Sequence, residues 1–88
     1  MRVELSPNFK KILKNLPPSI QEKTFQNLRL FKQDPFLPEL NDHALRVPYL
    51  GSRSINVTGD YRAIYKQFSN AAYFYNLGTH PELYGKKH

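Results

Sequence analysis

The sequence predicts an α+β fold: an N-terminal strand, a helical hairpin, and then an antiparallel sheet of three to four strands. Three observations lead there. Apolar residues recur at helical spacing from Phe9 to Phe31, Pro17-Pro18 cuts that stretch in two, and from Leu45 onward the period changes to that of a strand. At 88 residues there is room for one domain, 1–88, with one modest core.

Val3 and Leu5 alternate with Arg2 and Glu4, a short strand of period two. Ser6-Pro7 then reads as a helix start, because serine caps and proline suits the first helical position. Phe9, Ile12, Leu13 and Leu16 fall on one face of that helix, with Lys10, Lys11 and Lys14 off the stripe. Ser19-Ile20-Gln21-Glu22 reads as a capping box opening a second helix. Ile20, Phe25, Leu28 and Phe31 supply its apolar side, and Asp34-Pro35 closes it.

Phe36 to Asn41 reads as proline-broken loop. Leu45 and Val47 alternate around Arg46, and Pro48 to Ser52 turn the chain. Ser54–Val57, Tyr61–Phe68 and Ala71–Leu77 read as further strands, rich in β-branched and aromatic residues. Thr58-Gly59-Asp60 and Ser69-Asn70 are the tight connections between them.

Thirteen Lys and Arg against seven Asp and Glu give a net charge of +6 and a pI near 9.7. A field of that sign on a small body favours polyanionic partners, nucleic acid or an acidic protein. Without cysteine, a disulfide frame and a thiolate metal site are both excluded. No segment approaches the roughly 20 apolar residues of a membrane span, and the N-terminus lacks the apolar run of a signal peptide. A soluble cytoplasmic protein is the expectation.

The chemistry-bearing residues gather in two stretches, Arg53 to Tyr65 and Leu77 to Tyr84. Strand alternation turns Ile55 and Val57 to the core and Asn56 to the free face of the sheet. Asp60 lies at a turn, where aspartate is common for backbone reasons alone. Arg62 opens the next strand and suits a phosphate, because a guanidinium offers paired donors. His80 is of interest because an imidazole is the side chain best suited to give or take a proton at physiological pH. Tyr84 follows four residues later and can stack on an unpaired base or plug the edge of the core. His43 precedes a strand, and His43, His80 and Asp60 lack the close spacing of metal ligands, so neither a metal nor another cofactor is expected.

Read along its whole length, the chain resembles the RelE/ParE superfamily of bacterial toxins. The resemblance rests on the helical hairpin after a first strand, Asp42-His43-Ala44-Leu45, Arg53-Ser54-Ile55, Gly59-Asp60-Tyr61-Arg62-Ala63-Ile64-Tyr65, and Gly78-Thr79-His80 before Leu83-Tyr84. The ribosome-dependent mRNA interferases of the YafQ and RelE type are the most similar branch. That resemblance implies a RelE-like fold, a type II toxin–antitoxin system, cleavage of mRNA in the ribosomal A site and a cognate acidic antitoxin forming a hetero-oligomer with the toxin.

It also implies roles for single residues. His43, Asp60, Arg62 and His80 fall on catalytic positions of the family, while Arg53, Asn56 and Tyr84 fall on substrate-contacting ones. Asn56 departs from the pattern, since YafQ-like toxins carry a histidine there and RelE-like ones a lysine. An amide is no general base near neutral pH, so the departure implies one of three things: a lower activity, a base supplied by His43 or Asp60, or a different target. The alternative within the same superfamily is a ParE-like inhibitor of DNA gyrase with no nuclease activity. Outside it stands a basic binding domain with no activity at all.

Overall fold

A computed structural model describes residues 1–85 of the chain. The elements run β1 (Arg2–Leu5), α1 (Pro7–Lys14), α2 (Pro18–Gln33), a 3₁₀ turn (Pro38–Leu40), β2 (His43–Ala44), β3 (Arg53–Asn56), β4 (Tyr61–Phe68), β5 (Ala71–Thr79) and α3 (His80–Tyr84). They form one five-stranded sheet in the order β1-β5-β4-β3-β2. From β2 to β5 neighbouring strands are antiparallel, as expected. β1 joins the edge parallel to β5, pairing Arg2 with Ala71 and Leu5 with Phe74, which makes the sheet mixed. The helical hairpin explains this direction: it carries the chain from β1 over one face of the sheet to β2 at the far edge.

Local chemistry sets the helix ends. Ser6 caps α1, its hydroxyl accepting from the Phe9 N–H at 2.9 Å. α2 departs from the expected capping box. It starts at Pro18, with Pro17 as the N-cap residue and no side-chain cap bond. Proline already has the helical φ and lacks an N–H to satisfy, so Ser19 falls one position too late to cap. Gln21 is spent elsewhere, its amide donating to the Leu16 carbonyl at 2.8 Å and tying the hairpin elbow together.

The main core lies between the hairpin and one sheet face. Phe9, Leu13, Leu28 and Phe31 pack on Ile55, Val57, Ala63, Tyr65, Ala72, Phe74 and Leu77. The Phe31 ring meets Tyr65 and Phe74 edge-on at 5.0 and 5.3 Å between centroids. Phe25, expected on the apolar side of α2, is half exposed, whereas Thr24 and Asn27 are buried.

The opposite face is not bare. Leu45, Ile64 and Leu83 form a second small core there with Tyr49, Tyr75 and Tyr84 around it. The strand expected at Leu45 and Val47 ends early for that reason: Leu45 turns into this cluster. Its N–H bonds Ser52, and the Tyr49 N–H closes a turn on the Arg46 carbonyl, leaving Val47 exposed.

Candidate active site

The β3–β4 hairpin builds one half of the site. Val57 and Thr58 both donate to the Tyr61 carbonyl, and the Thr58 hydroxyl accepts from the N–H groups of Asp60 and Tyr61 at 3.1 and 3.0 Å. This hydroxyl-capped turn exposes Asp60 at the tip. Arg62 pairs across the ladder with Asn56, on the face away from the helical hairpin. Its Nη1 reaches back to the carbonyls of Thr58, Gly59 and Tyr61 at 3.1, 3.1 and 3.2 Å. Those bonds hold the guanidinium in one place, and among the described residues Nε and Nη2 make no protein hydrogen bond.

The end of β5 builds the other half. His80 and Tyr84, expected at a strand end, instead open and close the short helix α3. Thr79 caps it: the Thr79 hydroxyl accepts from the Glu82 N–H, while the Glu82 carboxylate accepts from the Thr79 N–H at 2.8 Å. Gly78 lets α3 lie close, since a Cβ there would stand 3.1 Å from Glu82 Oε1. One helical turn apart, the His80 and Tyr84 rings stack at 4.6 Å, and Tyr84 meets Tyr49 edge-on at 5.3 Å. Tyr49 is anchored in turn, donating to the Leu83 carbonyl at 2.7 Å, and burial raises its phenol pKa.

Between the halves lies a cleft of about 290 Å³ lined by Gly59, Asp60, Arg62, Thr79, His80 and Pro81. A fixed guanidinium, an exposed imidazole and a carboxylate thus border one opening. That set can hold an anionic oxygen group and exchange a proton with it. Asp60, Arg62 and His80 are brought together, and Tyr84 stands behind His80.

The remaining candidates lie elsewhere. His43 pairs with Ser54, so it shares the sheet face of Asn56 and Arg62 but stands on the edge strand, outside the lining of the cleft. Its Nδ1 is 2.7 Å from the Asn41 carbonyl. The Asn56 side-chain oxygen is buried with no hydrogen-bond partner among the described residues, while its backbone carbonyl accepts from Asn27 Nδ2 at 2.8 Å.

Arg53 is not part of the cleft. Strand alternation turns it to the same face as Ile55, toward the helices, where its Nε meets Asp42 Oδ1 at 2.9 Å. The Tyr65 hydroxyl donates to Asp42 Oδ2 at 2.6 Å. Partial burial opposes the charge of Arg53, but the Asp42 carboxylate more than offsets this and raises its pKa. Burial, then the same carboxylate, raises that of Tyr65 well above the usual phenol value. Arg53, Asp42 and Tyr65 line a separate opening of about 510 Å³ beside Phe36 and Gln67.

Several supports of the site escaped the sequence reading. Thr79-Pro81-Glu82 carried a legible signal, a threonine with glutamate three residues on. Asn27 and Thr58 carried none, because their partners are backbone atoms set by the fold. Among the described residues no group of three or more His, Asp or Glu could hold a metal ion, and no helix is long and apolar enough to cross a membrane.

No family model matches the chain, and no curated protein matches it closely in sequence. Solved structures are similar over nearly the full length. YafQ of Escherichia coli is 27% identical over 97% of this chain and 100% of its own, with a TM-score of 0.80. The conserved hypothetical protein HP0894 of Helicobacter pylori is 25% identical over 96% of this chain and 99% of its own, with a TM-score of 0.71. The E. coli DinJ–YafQ toxin–antitoxin complex matches at 26% identity over 94% of this chain and 96% of that one, with a TM-score of 0.69.

Proposed function

We propose that this chain, which belongs to the RelE/ParE superfamily and lies close to YafQ, is the toxin of a type II toxin–antitoxin system and cleaves ribosome-bound mRNA. The observation that carries the nuclease reading is the cleft itself, where Arg62 and His80 face a common opening with Asp60 on its rim. The 2′-hydroxyl of a bound nucleotide attacks the adjacent phosphorus as the bond to the 5′-oxygen breaks. A 2′,3′-cyclic phosphate and a 5′-hydroxyl are left.

His43 or Asp60 takes the proton of the attacking hydroxyl. Protonated His80 gives one to the leaving oxygen, and Arg62 stabilises the charge on the phosphorane. A positioned acid or base contributes roughly 10²- to 10⁴-fold, and a preorganised cation adds a comparable factor. Asn56 contacts the sugar or base and transfers no proton. Tyr84 supports the His80 ring, and its exposed part offers a surface for an unpaired base. Arg53, held by Asp42 on the other face, takes no part in binding phosphate.

The partner on this reading is an acidic antitoxin, to which the +6 charge is complementary. The site of action is the cytoplasm, where mRNA and ribosomes are. No observation on the site favours gyrase binding over RNA cleavage.

The test is expression in growing cells without an antitoxin, with amino-acid and thymidine incorporation followed in parallel. Protein synthesis should stop first, and His80→Ala should restore growth while the variant accumulates folded. Replication stopping first, or arrest by His80→Ala with undiminished mRNA cutting, would sink the proposal.

A further inference from the structure

Asp42 is an unusual residue to find in so small a protein. Its carboxylate side chain is 3% exposed and fully engaged, with one oxygen on Arg53 Nε at 2.9 Å and the other on the Tyr65 hydroxyl at 2.6 Å. A longer contact of 3.5 Å joins Arg53 Nη2 to the Asp42 carbonyl. The pair is buried on the Asp42 side and one-third exposed on the Arg53 side, and such ion pairs add little net stability, so the network calls for another reason. Orientation is what it supplies: both side-chain oxygens and the backbone of one residue are held at once. That residue lies between Asn41 and His43.

Strand alternation does the rest. Asp42 is held on the helix-facing side of the sheet, and His43 pairs with Ser54, whose side chain points to the opposite side with Asn56 and Arg62. Asn41 precedes them with φ of 48°, a left-handed conformation that asparagine tolerates, just after the fully buried Leu40. Its carbonyl lies 2.7 Å from His43 Nδ1. A carbonyl oxygen only accepts, so Nδ1 carries the hydrogen, and in the neutral ring the lone pair is then on Nε2.

We infer that Asp42, Arg53 and Tyr65 form a clamp behind the sheet that positions His43, with the Asn41 carbonyl selecting the tautomer in which Nε2 is the free base. The inference deepens the proposed function and rests on it for one step only, that His43 rather than Asp60 takes the proton of the 2′-hydroxyl. The clamp residues are positioning residues. They lie on the other face of the sheet from the cleft and touch no substrate. The raised phenol pKa of Tyr65 keeps the hydroxyl a donor to Asp42 throughout the neutral range.

Nitrogen NMR of the His43 ring in the full chain tests the clamp without any activity measurement. In the wild type Nδ1 should resonate as a protonated nitrogen and Nε2 as an unprotonated one. In Tyr65→Phe and in Arg53→Lys, which keeps the charge but loses the Nε contact, the two nitrogens should average toward a mixture of tautomers. Cleavage of ribosome-bound mRNA should fall about tenfold in both, less than the ~10²- to 10⁴-fold expected for His43→Ala. Arg53 is one-third exposed, so Arg53→Lys carries the test should Tyr65→Phe not fold.

A wild-type ring protonated on Nε2, or a single unchanged tautomer in both folded variants, overturns the clamp. Mixed tautomers with undiminished cleavage overturn His43 as the base and leave the clamp standing. A wild type that cuts no RNA overturns the proposed function, and the NMR result still decides the clamp.

Discussion

At the scale of single residues the site divides into groups that touch the cleft and groups that hold them. Arg62 belongs to both, because Nη1 fastens the turn while Nε and Nη2 are available. Lysine keeps the charge but cannot bridge the turn and hold a phosphate together. Arg62→Lys should therefore lose at least tenfold in cleavage rate and lower the melting temperature slightly, as single-turnover kinetics and a thermal melt would register.

Tyr65 makes a prediction with a definite sign. Its folded pKa is raised above the value of 10.0 for a free phenol, so at higher pH the unfolded chain releases a proton that the folded chain keeps. The unfolded state then binds fewer protons, and stability falls as pH rises beyond about 10. Tyr65→Phe removes that term. The stability gap between wild type and variant, measured by urea titration, should narrow above that pH.

The chemistry a side chain can offer is legible in the sequence, as with the imidazole of His80, and its surroundings are less so where they depend on a partner. Arg53 illustrates the difference. Alternation already puts it beside Ile55, but only the fold shows Asp42 waiting there, eleven residues back in the chain. A resemblance in sequence carries position and not the direction in which a side chain points.

At the scale of elements the local signals held where a side chain meets its own backbone. Ser6 caps α1 as its sequence context predicts, and Ser6→Ala should cost about 1 kcal/mol by chemical denaturation. The same signal misleads at Ser19, because Pro17-Pro18 starts the helix first.

The same signal at Thr79 has the larger consequence, since Thr79 and Glu82 turn the end of β5 into the helix that presents His80. Thr79→Ala should reduce cleavage by more than its small effect on stability explains, because the cap fixes the first turn of α3, where His80 stands. Amide exchange confined to residues 79–84 would show the loosening. Asn27→Ala removes the hydrogen bond to the Asn56 carbonyl and should cost about 1–3 kcal/mol, since a buried carbonyl is left without its donor.

At the scale of the whole molecule, period and proline breaks are enough to read the helical hairpin and the strands β3, β4 and β5. The parallel edge strand was not legible, because pairing direction depends on where a crossover lands rather than on any residue in the strand. Nor was the second core. Tyr49, Tyr75, Tyr84, Leu45, Ile64 and Leu83 are scattered through the chain, and only the closing of α3 over the sheet gathers them.

The positive charge has a consequence at this scale. Binding of a single-stranded RNA oligonucleotide should weaken with salt, and Arg62→Gln should reduce the slope of log K against log salt by about 0.7, the value of one phosphate contact on a single strand. An unchanged slope would remove Arg62 from the phosphate.

The chemistry assigned to the cleft between Arg62 and His80 can be tested directly. Purified protein should be mixed with ribosomes programmed with a defined mRNA, and the new 3′ ends analysed. The wild type should produce 2′,3′-cyclic phosphate ends paired with 5′-hydroxyl ends in the absence of divalent metal beyond what the ribosome requires, and His80→Ala should slow their appearance at least a hundredfold. Intact mRNA with the wild type, or equal cutting by folded His80→Ala, would contradict it.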